Sequence, residues 1–172
     1  MNDVKKISAL GYLPLNYEAC DMRAIVDDIV LFSKAAAVFK KLTIETHCEV
    51  TNVLIDRFRI KKILLNLLDN AIKFTPKGSI EISVIQTTST LNLNVRDTGI
   101  GIDEIDQEKI FEEFFQVIPC YKQDKYSGIG KGLFLVKKYT EELQGKITVQ
   151  SAANKGSTFI VEIPLKLEQA VA

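Results

Sequence analysis

The chain has 172 residues, 47% of them apolar, and its 22 basic and 22 acidic side chains give a formal net charge of zero. That length suffices for one domain with its own core, and the balanced charge excludes the global field that draws a protein onto nucleic acid or an anionic membrane, so any anion binding must be local. No apolar run reaches the roughly 20 residues of a spanning helix, MNDVKKISAL lacks a signal-peptide core, and Cys20, Cys48 and Cys120 form no CxxC pair beside the one histidine, which argues against a zinc site or disulfide framework and for a reducing cytoplasm.

Residues up to about 20 read as a lead-in, with an extended piece around Pro14. From Asp21, a plausible N-cap, Met22, Ile25, Val26, Ile29, Val30 and Phe32 approximate helical spacing, predicting an amphipathic helix to about Lys40. LTIET and NVLI are β-branched and apolar, and a turn between them predicts a hairpin-like pair. Between residues 56 and 74, Ile60, Ile63, Leu64, Leu67, Leu68, Ala71 and Ile72 recur at i, i+3, i+4, i+7, the clearest helix of the chain, ended by Pro76 and Gly78.

Residues 79–86 and 91–97 alternate apolar and polar side chains, as adjacent antiparallel strands with one buried face do. Residues 103–130 offer only short helical pieces around FEEFF and a polar stretch, KQDKYSG, with the character of a loop. A helix follows from about 131 to 144, with Gly145 as its stop, and the strands KITVQS and STFIVEIPL close the chain. This mixed order predicts an α+β fold, a two-layer sandwich whose mixed, mostly antiparallel sheet is covered by helices on one face, and not a doubly wound parallel sheet.

Three segments carry possible chemistry. Lys62, Asn66, Asn70 and Lys73 line one side of the 56–74 helix, where Asn is a poor choice for an ordinary solvated face. Carboxamides beside a lysine suit a metal-triphosphate without adding negative charge, although exposed or loop-capping asparagines give the same pattern. In Asp97-Thr98-Gly99-Ile100-Gly101-Ile102 a carboxylate at a strand end can accept from an exocyclic amine such as adenine N6, while the glycines let a flat ligand approach the backbone; the same letters also spell a simple turn. Gly128-Ile129-Gly130-Lys131-Gly132-Leu133 opens a helix whose N-terminus can hold a phosphate, or acts as a hinge; it fits neither a P-loop nor a dinucleotide fingerprint.

In this order NLLDNAIKFT (66–75), DTGIGI (97–102), IFEEFF (110–115) and GIGKGL (128–133) resemble the N, G1, F and G2 boxes of sensor histidine kinases, and the resemblance extends over residues 14–165. It implies the Bergerat ATP-binding fold of gyrase B, the Hsp90 chaperones and MutL, with residues 14–166 as the catalytic domain, an ATP lid at about 104–130, residues 1–13 as the remnant of a dimerisation helix and linker, and a tail at 167–172. ATP and Mg²⁺ are the implied cofactors. The same resemblance makes Asn70 the Mg²⁺ ligand, Asn66 its companion near the phosphates, Lys73 a phosphate contact, Phe74 an aromatic neighbour of adenine and Asp97 the adenine-reading carboxylate. Asn66, Asn70 and Lys73 form the implied catalytic set, and Gly99, Gly101, Ile102, Gly128, Gly130, Lys131, Gly132, Leu133 and Thr158 complete the nucleotide contacts.

Phe111 and Phe114 match the F box as lid anchors. Related ATPases carry a water-activating Glu at the position of Asn66; an amide cannot act as that base, so transfer to a histidine is favoured over hydrolysis. The partners implied are a histidine-bearing dimerisation domain of the same protein and a response regulator, with no nucleic acid, and the fragment alone is expected to be a soluble cytoplasmic monomer, which is compatible with membrane attachment of a fuller protein. His47, in THCEV, lacks the family's acidic neighbour and is not the expected phosphoacceptor. Lys131 and Ile129 depart from the usual G2 residues, so Lys131 either adds a phosphate contact or faces solvent; Lys62 replaces a usual Gln or Glu; and Lys122, Lys125 and Cys120 lie in the lid. The alternative is a nucleotide-binding regulatory module with little or no transfer.

Overall fold

The computed structural model describes residues 14–117 and 130–165. The expectations for residues 1–13 and 167–172, and those for Cys120, Lys122, Lys125, Gly128 and Ile129, lie outside the described residues.

Helix α1 (Met22–Phe39) starts as its sequence dictates: the Asp21 carboxylate accepts from the backbone N–H groups of Arg23 and Ala24, and Met22, Ile25, Val26 and Ile29 are buried. Helix α2 (Arg57–Phe74) is capped in the same way by Asp56, which accepts from Arg59 N–H. Its apolar stripe, Ile60 through Ile72, is buried along the whole length. Pro76 forces Thr75 out of the helical region, and Lys40 Nζ donates to the last carbonyls, those of Ile72 and Lys73, at 2.7 Å each.

A five-stranded sheet has the order β2-β4-β5-β7-β6, formed by β2 (Thr43–Cys48), β4 (Ser79–Gln86), β5 (Thr90–Asp97), β7 (Ser157–Pro164) and β6 (Lys146–Ser151). Only the β2–β4 pair is parallel. Ile80, Ile82 and Val84 of β4 and Leu91, Leu93 and Val95 of β5 alternate inward, so the helices cover one face and polar residues keep the other, as expected of a two-layer α+β sandwich.

The expected hairpin of LTIET and NVLI does not form. β2 joins the edge of the main sheet beside β4, whereas β3 (Val53–Asp56) pairs antiparallel with β1 (Tyr17–Cys20) in a separate two-stranded sheet. The connection explains the split: Val50 is buried and its carbonyl accepts from Met22 N–H at the start of α1, and Asn52 takes a left-handed φ of 55°, turning the chain away from β2. The lead-in before α1 is therefore a strand of the domain.

Helix α3 (Gly132–Glu142) is shorter than its sequence suggests. Gln144, at φ 60°, and not Gly145, provides the left-handed turn that ends it; Gly145 is required for space, because a Cβ there would meet the Glu162 carbonyl. FEEFF forms no α-helix, only a 3₁₀ turn at Lys109–Phe111 running into an irregular stem. Buried Arg59 ties three elements together, donating to Asp56 Oδ2 at 2.7 Å and to Glu142 Oε2 of α3 at 2.6 Å, while the Asn16 N–H ahead of β1 also donates to Asp56.

Candidate functional site: a cleft between α2, the β5 loop and the start of α3

A cleft of about 480 Å³ opens beside α2, lined by Asn66, Asp69, Asn70, Lys73 and Phe74 of that helix, Asp97 at the end of β5, the 100–102 loop, the stem at Ile110, Phe115 and Val117, residues 130–133, and Ser157 and Phe159 of β7. Helical spacing brings Asn66, Asn70 and Lys73 to the same wall, one turn apart. Lys62, on the same stripe by spacing, is not at the cleft: its ammonium lies 5.6 Å from the centre of the Phe58 ring.

Asp97 is 6% exposed, and its Oδ1 accepts from Gly99 N–H at 2.8 Å. Burial pushes its pKa up, against hydrogen bonds from the Gly99 and Ser157 backbones. Gly99 sits behind the cleft rather than in its lining, since a Cβ there would press on the Phe74 carbonyl. Gly101, at φ 69°, passes against the Ala152 carbonyl where no side chain fits. The 97–102 loop is fastened to the β6–β7 turn by Ile102 N–H to Ser151 Oγ at 2.8 Å and Asn154 N–H to the Ile100 carbonyl at 2.6 Å.

At the opposite end, α3 begins at Gly132 without a side-chain cap, which leaves its first backbone N–H groups to the cleft that Gly132 and Leu133 line. A Cβ on Gly132 would stand 3.4 Å from Asn66 Oδ1 and 3.5 Å from Asn70 Nδ2, in ordinary contact with both, which puts the start of this helix directly beside the asparagine pair. Asn66 Nδ2 donates to the Lys62 carbonyl at 2.7 Å, which leaves its Oδ1 toward Gly132. Asn70 Nδ2 is buried with no hydrogen-bond partner. An orphaned donor of this kind is costly and points to a ligand.

Lys131 lines the cleft, with its ammonium 4.6 Å from the centre of the Phe114 ring and 3.5 Å from Glu113 Oε1. Gly130, at φ 74°, accepts at its carbonyl from Phe114 N–H, closing the stem of the 104–130 region. Of the aromatics assigned to lid anchoring, Phe111 packs against the core but Phe114 is exposed; Ile110 and Phe115 form the stem's inner wall.

Thr158 does not reach the cleft. Asp97 pairs with Ser157, and strand alternation puts Ser157 and Phe159 on the cleft side and Thr158 on the other. The inward run of Phe159, Val161 and Ile163 already encodes that phase. Asp69, Ile100, Ile110 and Phe115 lie within the four boxes but receive no site role from the sequence, and Val117 and Phe159 lie outside those boxes; the loop and strand residues among them reach the cleft through tertiary packing that spacing along one element does not show.

The site is two-ended: apolar walls around one buried carboxylate acceptor, and a polar end of amides, lysines and helix N–H groups. That suits a heteroaromatic base with an exocyclic amine joined to phosphates. Among the described residues no group of three His, Cys, Asp or Glu could enclose a metal ion. The neutral oxygens of Asn66 and Asn70 fit a Mg²⁺ that takes most of its ligands from phosphate and water.

A family model described as histidine kinase-, DNA gyrase B- and HSP90-like ATPase matches residues 55–167. The signal transduction histidine-protein kinase BarA of Escherichia coli (strain K12) is 36% identical over 97% of this chain and 19% of its own length. The autoinducer 2 sensor kinase/phosphatase LuxQ of Vibrio vulnificus is 45% identical over 64% of this chain and 14% of its own. The chain thus spans less than a fifth of either relative. Full-length ShkA, solved in complex with AMPPNP, superposes with a TM-score of 0.80 at 25% identity over 92% of this chain and 33% of that one. The catalytic domain of the histidine kinase ThkA gives 0.74 at 27% identity over 87% of this chain and 98% of that domain.

Proposed function

The chain belongs to the family of histidine kinase-, DNA gyrase B- and HSP90-like ATPases, and from that premise we propose that it binds Mg²⁺-ATP and donates the γ-phosphate to a histidine on a separate dimerisation segment in two-component signalling. The two-ended cleft carries this reading, with buried Asp97 at its apolar end and the orphaned Asn70 amide beside the uncapped start of α3 at the other. AMPPNP, an ATP analogue, is present in the ShkA structure named above.

Asp97 selects adenine by accepting from its amine, and the carbonyl of guanine at that place would face the carboxylate unfavourably. Phe74 and the isoleucines flank the base; Lys73, the α3 N-terminus and Asn66 hold the phosphates. A Mg²⁺ on Asn70 would offset charge on the phosphate oxygens. Transfer forms a phosphorus–nitrogen bond to the incoming imidazole as the bond to the ADP oxygen breaks, and this chain contributes position and charge, not a base. Asn66 supports transfer over hydrolysis, since its amide holds the Lys62 carbonyl and has no proton-accepting role. A cytoplasmic setting, a histidine-bearing segment and a response regulator as partners belong to the same proposal.

Calorimetric titration of ATP and GTP, with and without Mg²⁺, on the wild-type chain and Asn70→Ala tests it. Adenine-selective binding, strengthened by Mg²⁺ in the wild type alone, is expected. A folded wild-type chain that binds neither nucleotide would overturn the reading.

A further inference from the structure

Helix α1 has two apolar faces. One is buried, with Met22, Ile25, Val26 and Ile29. On the opposite side Ala24, Asp28, Leu31, Ala35 and Val38 follow one another at intervals of four, three, four and three residues, the spacing of a coiled-coil seam, and Phe32 and Phe39 flank it seven residues apart. This second stripe is uncovered: Leu31 is 70%, Phe32 82%, Val38 63% and Phe39 88% exposed.

Those four side chains present on the order of 600 Å² of mostly apolar surface, the upper end of what a monomer shows and a large part of the ~800 Å² that each partner gives a standard interface. We propose that this face of α1 is a self-association surface on which a second copy of the chain docks, the two α1 helices packing antiparallel about Ala35.

The residue order favours that partner and that direction. Large, small, large along this face, from Leu31 through Ala35 to Phe39, is complementary to its own reverse: Leu31 meets Phe39 of the second copy, Phe32 meets Val38, and the two Ala35 residues allow close approach at the two-fold axis. A parallel pairing would instead set Asp28 against Asp28 within the seam. The antiparallel pairing sets Asp28, which Lys61 at 2.9 Å and Arg57 at 4.0 Å hold at the helix surface, next to exposed Lys41 of the second copy. This proposal departs from the monomer expected from sequence, and it stands independently of the nucleotide cleft.

Sedimentation of the 172-residue chain across a micromolar concentration series is expected to show mass rising toward twice the monomer. The Phe32→Ser, Phe39→Ser double variant should associate at least about tenfold more weakly, with an unchanged melting temperature at dilutions where both chains are monomeric. A second readout covers a variant that fails to fold. In a Cys120→Ser background, where Cys20 and Cys48 are buried, Ala35→Cys should cross-link to itself with a short thiol-specific reagent and Lys137→Cys on α3 should not. A chain that stays monomeric throughout, a dimer untouched by the double variant, or equal cross-linking at both positions would each overturn the proposal; the first would assign the face to a different partner.

Discussion

Burial raises the pKa of Asp97 even though the Gly99 and Ser157 backbones donate to it. Two consequences have opposite signs. For stability, a carboxyl that holds its proton more tightly when folded contributes fully below its unfolded pKa, and loses that contribution as pH rises through the folded value. For binding, only the ionised form accepts from the adenine amine without competition from its own proton, so affinity for ATP is expected to fall on acidification sooner than an ordinary aspartate would allow. Asp97→Asn should weaken ATP by about tenfold or more, since a charge-assisted hydrogen bond becomes a neutral one, and flatten the acid limb of the profile. Calorimetry across the acid range checks both; a wild-type profile as flat as the variant's rules out a titrating Asp97. Asn70 is a contrasting case, because its unpartnered Nδ2 costs free energy in the unliganded chain. Asn70→Ala should therefore leave thermal stability unchanged or raise it by up to about 1 kcal/mol, removing a desolvated donor and placing a better helix former, while Mg²⁺-dependent affinity is lost. A clear loss of stability in thermal melts would mean that the side chain is kept for packing instead.

Helices and long strands were the legible part of the fold because each repeats its own period over many residues: α2 by its i, i+3, i+4 stripe, and β4, β5 and β7 by strict alternation. β2 and β3 were legible as strands but not in their pairing, since strands of four to six residues carry no signal of who sits beside them, and the buried Val50 that separates them reads like any turn neighbour. The same limit hid the link between α2 and α3. Nothing in the sequence singles out Arg59, yet it is buried between Asp56 and Glu142, and Asp56 is held below its ordinary pKa: burial would raise it, but the N–H groups of Arg59 and Asn16 and the guanidinium outweigh that. Arg59→Ala is expected to cost about 3–5 kcal/mol, as when one partner of a buried pair is removed. Urea denaturation measures it. Loss of under about 1 kcal/mol would show that Asp56 is satisfied without the guanidinium. Because a lowered Asp56 contributes stability above its unfolded pKa and loses it as pH falls through the folded one, the wild-type advantage over the variant should shrink at low pH.

At the scale of the whole molecule, the cleft and the lone histidine lie apart. His47 is exposed on β2, at the sheet edge, opposite Ser83 of β4, whereas Asp97 sits two strands in, on β5 opposite Ile80 of β4, and the cleft lining does not include His47. A phosphoryl group held, as proposed, between Asn70 and the start of α3 would therefore have no histidine of the same domain to reach, and an in-line displacement requires the nucleophile within about 3–3.5 Å. The chain incubated alone with γ-labelled ATP is expected to stay unlabelled. Label should appear on a histidine-bearing dimerisation fragment only when both chains and Mg²⁺ are present, and replacement of His47 by Gln should leave that transfer unchanged. Label stable to base but lost in mild acid, on the added fragment alone, identifies the phosphoramidate. Label on this chain that disappears in His47→Gln would relocate the acceptor to β2, and transfer would then have to run between two copies, because the fold keeps its own His47 away from its own cleft.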